Sequence, residues 1–292
     1  MNVRAIHRAL CASLAAMVAL GGGGVLLHGC GDATTGRDRV HFNVRVGGFD
    51  HAPGPVTFSN DQGWTITLTE ARAAVGPLYL NTIEPTPCDT CGAMSIFHRI
   101  ETTLVPRAWA HGQDHLGSGE FVGQVTRQVE VDVLSPQLVE VAGGGDGIDA
   151  TVRTAEAWLY NRDGSLRGAA IRVAGVAQRD EPTAVEVPFE GALVADESIV
   201  TARAPLDQAR RVRGIPAALT LTEGGTLVVR VDVRAWFKGA DFSELADRPT
   251  NGAGRHAFTP ADNVGRAFIN NARAARGVFS VTFQPSQRVT RN

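Results

Sequence analysis

Alternation of apolar and polar positions with a period of two runs through most of this chain. Val40, Phe42, Val44 and Val46 alternate with His41, Asn43 and Arg45 and stop at Gly47-Gly48. Trp64, Ile66 and Leu68 alternate with Thr65, Thr67 and Thr69. This period sends successive side chains to opposite faces of a half-buried strand, and threonine suits the wet face. Ala71–Leu80 reads as a second strand bent at Gly76-Pro77, and Val129, Val131 and Val133 alternate with Gln128, Glu130 and Asp132. Further strands are predicted at Thr151–Tyr160, Ala169–Ala177 and Val185–Leu193. Asn161-Arg162-Asp163-Gly164 predicts a hairpin between the first two of these, because Asp-Gly readily takes positive φ. A second hairpin joins Leu219–Thr222 to Thr226–Phe237 through Glu223-Gly224-Gly225, with Leu227, Val229, Val231, Val233, Ala235 and Phe237 on one face. Pro136 and the run Gly143–Gly147 mark turns.

The period changes once. Thr259 as N-cap, Pro260 at the first helical position and Asp262 as a capping-box acid open a helix. Val264, Ala267, Phe268, Asn271, Ala272 and Ala275 continue it at helical spacing to about Arg276, where Gly277 is a natural stop. A last strand follows at Val278–Phe283. Roughly ten strands and one helix, with no alternation of strands and helices, predict an all-β fold: an antiparallel β-sandwich with a C-terminal helix. The 292 residues suffice for one such domain over 39–292, with a subdivision near 195–214 as the alternative.

The first residues follow another logic. Arg4 and Arg8 precede an apolar stretch from Ala9 to Leu27, and Leu27-His28-Gly29-Cys30 ends it. This resembles the signal peptide and lipobox of bacterial lipoproteins, with His28 departing from the usual small residue at its position. The resemblance implies removal of residues 1–29, lipidation of Cys30, a tether over 30–38 and attachment to a membrane in the bacterial cell envelope. Gly31, not Asp, follows Cys30; in enteric lipoproteins that implies the outer rather than the inner membrane. The four glycines Gly21–Gly24 make a poor spanning helix, which argues against a retained anchor.

Charge excludes one class of partner. The chain carries 28 basic and 30 acidic residues; without Arg4 and Arg8 the balance is 26 against 30, a net charge of -4, so no nucleic-acid footprint is present. Of four cysteines, Cys11 leaves with the signal and Cys30 is acylated on this reading, leaving Cys88 and Cys91 in an oxidising compartment.

Those two cysteines lie in the one long break in the alternation, about forty residues from Asn81 to Gly119, far beyond an ordinary connection. Within or beside it are Cys88, Cys91, His98, His111, Asp114, His115 and Glu120. Cys88-x-x-Cys91 followed by His111-x-x-x-His115 has the ligand types and local spacings of a zinc site, although 19 residues separate the pairs. In an oxidising compartment Cys88 and Cys91 read better as a small disulfide loop than as thiolate ligands, and a redox pair comes last. His111 and His115 with Asp114 and Glu120 form a ligand set for copper or zinc without the thiols. His98 is in phase with Ile96, Ile100 and Leu104 and reads better as a core residue. Gly112 stands where a zincin would have its glutamate, and Gly117-Ser118-Gly119 lacks the strand and helix of a nucleophile elbow. The expectation is a lipid-anchored, non-catalytic sandwich that binds or handles copper or zinc. A structural or protein-binding module with a Cys88–Cys91 disulfide is the alternative, and a thiol redox protein comes third.

Overall fold

A computed structural model describes residues 38–83, 121–161, 166–180, 184–194 and 211–286. They lie in a compact unit that begins at Arg37. The strands are β1 (Arg39–Gly48), β2 (Val56–Ser59), β3 (Thr65–Val75), β4 (Leu78–Asn81), β5 (Phe121–Val125), β6 (Val129–Asp132), β7 (Val139–Glu140) and β8 (Gly145–Ile148). They continue with β9 (Thr151–Trp158), β10 (Ile171–Arg179), β11 (Val185–Leu193), β12 (Arg211–Thr220) and β13 (Thr226–Val231). After a 3-10 helix (Val233–Phe237) come α1 (Ser243–Ala246), β14 (His256–Ala257), α2 (Asn263–Ala272) and β15 (Phe279–Gln284).

The fold is all-β, and the described residues form two sheets and one helix longer than two turns. One sheet runs β12-β9-β4-β5-β8-β1-β13-β15 with β7 beside β1; the other runs β14-β11-β10-β3-β2 with β6 beside β3. Strict alternation in β1 buries Val40, Phe42, Val44 and Val46 and exposes the residues between them, so one face of the strand meets the core. Trp64, Ile66 and Leu68 do the same for the second sheet. The core closes on a cluster of rings that includes Phe189, Phe237, Phe242, Phe258 and Phe268, with Phe189 and Phe242 centroids 4.9 Å apart.

Several expectations need correction. Neither predicted hairpin forms: β9 pairs with β4 and β12, β10 with β3 and β11, and β13 with β1 and β15. A tight turn reverses the chain but does not choose its partner. At Glu223–Gly225 that choice is visible, because Gly224 N donates to His41 O and Asn43 N to Gly225 O, which draws the chain onto β1 instead of back along β12. β13 then runs parallel to β1, so the sheets are largely but not wholly antiparallel.

The eleven-residue arm ends early. Beyond Val231 the chain coils into the 3-10 helix, whose N-cap Asp232 accepts from Arg234 N, and Val233, Trp236 and Phe237 are buried at helical spacing. Ala71–Val75 belongs to β3, and Gly76-Pro77 marks the passage into the other sheet and β4. The glycine run is only partly a turn, since Gly145 and Gly147 lie inside β8. A Cβ on Gly145 would collide with the Phe42 ring, so these glycines let strands approach where side chains would not fit. The C-terminal helix spans Asn263–Ala272, within the predicted Pro260–Arg276, with Asp262 as its N-cap. The Thr259–Asp262 pair exists nonetheless: Thr259 N donates to the Asp262 carboxylate at 2.5 Å, one turn before the helix begins.

Candidate functional site

The predicted ligands His111, His115, Asp114, Glu120, Cys88, Cys91 and His98 fall in residues 84–120, and Cys30 falls before residue 38; all lie outside the described residues. The described residues include the base from which the connection over residues 84–120 leaves. β4 and β5 are hydrogen-bonded antiparallel neighbours, with Asn81 paired to Phe121, so the connection starts and returns at one point near the middle of its sheet. β9 supports β4 and β8 supports β5 on either side. The Thr154 hydroxyl donates to Ile83 O at 3.1 Å, fixing the last described residue of the outgoing arm. Tyr79 meets Phe121 edge to face at 5.7 Å, and Phe121 is 56% exposed at the start of the returning arm.

Among the described residues no group of three or more His, Cys, Asp or Glu side chains is placed to hold a metal ion. The three described histidines are scattered. His41 Nδ1 lies 3.1 Å from an Asp146 carboxylate oxygen at the surface. His51 stacks on Phe49 with its ring nitrogens 2.8 Å from Phe49 O and 2.9 Å from Leu134 O. His256 is buried in β14 beside β11.

A polar centre forms where the turn between β2 and β3 meets the segment before α1. Asp241 accepts from the Ser243 backbone N–H at 3.0 Å, the Ser243 hydroxyl at 2.7 Å and the Trp64 indole at 3.2 Å. The Arg179 guanidinium lies 4.5 Å from the Trp64 ring and donates to Ser243 Oγ at 3.0 Å. Burial opposes ionisation of Asp241, but these hydrogen bonds and the Arg179 charge outweigh it and hold the carboxyl below its usual range. Ser243 spends its proton on a carboxylate rather than on an imidazole, so this is a brace and not an activated nucleophile.

A second cluster occupies the outward face of β4, β9 and β12, where Tyr79, Glu156, Trp158, Arg211 and Arg213 sit together. Sequence reasoning missed it. The alternation in β9 does put Glu156 and Trp158 on one side, but nothing local announces that a strand more than fifty residues later lies against them.

The class these observations define is an all-β sandwich protein with a long connection rooted between two central strands. No family model, curated protein or solved structure matches the chain.

Proposed function

We propose that this chain is a lipid-anchored cell-envelope protein whose sandwich presents a loop that binds copper or zinc. His111 and His115 are the primary ligands, with Asp114 and Glu120 completing the set and Cys88 and Cys91 joining only if reduced. Cys30 carries the lipid. The observation that carries the reading is the pairing of Asn81 with Phe121: every candidate ligand lies on one connection whose two ends are hydrogen-bonded neighbours. Joining the ends shortens the distances the chain must span to bring residues from both halves of that connection to one ion. Imidazole and carboxylate together suit both metals.

The experiment is metal analysis of protein purified without a polyhistidine tag, alongside a count of free thiols without reductant. The proposal expects one bound ion per chain in the wild type and none in His111→Ala. No ion in either, together with no free thiol, favours a structural module closed by a Cys88–Cys91 disulfide.

A further inference from the structure

Among the described residues, the cluster on β9 and β12 sets two arginines against one carboxylate. Arg211 lies opposite Trp158 in the ladder, and the register shifts between Val212 and Ile215. The inward pair on β9 is Ala155 and Ala157, two residues apart, whereas the inward pair on β12 is Val212 and Ile215, three apart. The extra residue is a bulge at Arg213-Gly214, with Gly214 at φ +73, and it leaves Arg213 facing the same carboxylate as Arg211.

Glu156 therefore meets two guanidinium groups. Arg211 Nε is 3.6 Å from one carboxylate oxygen and Arg213 Nε is 3.5 Å from the other. All three side chains are mostly withdrawn from solvent, at 12% exposure for Glu156, 29% for Arg211 and 25% for Arg213. The Arg211 guanidinium lies 4.3 Å from the Trp158 ring centroid, and the Trp158 indole N–H is buried with no hydrogen-bond partner. Two cations against one anion leave one positive charge for a further anion to answer.

We propose that this face binds the carboxylate of a small acidic ligand, independently of any metal bound elsewhere. Planar guanidinium forks match a planar carboxylate, and an arginine laid on an aromatic ring is held ready to receive one. Tyr79, paired with Glu156 across β4 and β9, borders the site.

The test is calorimetric titration of the whole chain with glutarate at constant ionic strength, with inorganic phosphate and chloride titrated in parallel. Glutarate should bind saturably and change the tryptophan emission, and Trp158→Phe should remove that change. Arg213→Gln should weaken glutarate binding by about tenfold or more, as loss of a charge-assisted hydrogen bond does. Arg45→Gln, at an exposed position of β1 away from the cluster, should leave binding unchanged. If Arg213→Gln does not fold, Arg213→Lys keeps the charge without the fork and should still bind more weakly than wild type. No saturable binding of glutarate over chloride overturns the proposal, as does binding that survives loss of the Arg213 fork. Phosphate binding as tight as glutarate overturns the assignment to carboxylates.

Discussion

Asp262 is the one carboxylate among the described residues that is almost wholly buried, at 1% exposure. Desolvation pushes its carboxyl up, yet it ends below the usual range because Thr259 N–H, Arg248 and the Thr259 hydroxyl all stabilise the charged form. A carboxyl depressed in the folded state contributes stability that is complete above the unfolded-chain value and is lost as pH falls through the folded one. Asp262→Asn should therefore lower stability at neutral pH by about 1–3 kcal/mol, the cost of leaving buried donors without their anion. Urea midpoints measured from about pH 7 to about pH 3 should also fall less steeply in the variant than in wild type. Parallel curves would mean that this carboxylate is not what acid titrates.

Elements show why only part of the fold was readable. β1, β3, β9, β10, β11 and β15 lie where period-two alternation puts them, because each buries one face against the core. β8 was unreadable because its sequence, GDGI, has almost no side chains to alternate. The 3-10 helix misled for the opposite reason: Val233, Ala235 and Phe237 extend the strand period while Val233, Trp236 and Phe237 satisfy a helical one. The second pattern wins, since it buries Trp236 against Phe268 with ring centroids 5.9 Å apart. Pairing was the least legible level, as the β12–β9 and β1–β13 ladders join strands far apart in sequence. At Gly145 the close approach of β8 can be tested alone. Gly145→Ala should cost about 1–3 kcal/mol, the range for overpacking a filled core, read as a lower urea midpoint with an unchanged slope. A neutral result would mean that Phe42 can move aside.

On the scale of the whole molecule, the sandwich and the connection proposed to bind metal can be separated experimentally. The candidate ligand types and their spacing were legible in the sequence, whereas the joining of β4 to β5 at the base of that connection was not, because β5 (Phe-Val-Gly-Gln-Val) does not alternate and begins at an exposed phenylalanine. Since Leu78–Asn81 and Phe121–Val125 already pair, replacing residues 84–119 with a short Asn-Gly turn should leave a folded β protein. Circular dichroism and a single cooperative melt would report this, and a chain that no longer folds would make the connection part of the core. The most direct measurement of the proposed function is an equilibrium titration of the untagged chain with copper or zinc ions under oxidising conditions, wild type against His111→Ala/His115→Ala. The account predicts one saturable site per chain in the wild type and none in the double variant. Equal binding by both, or binding by neither, contradicts it.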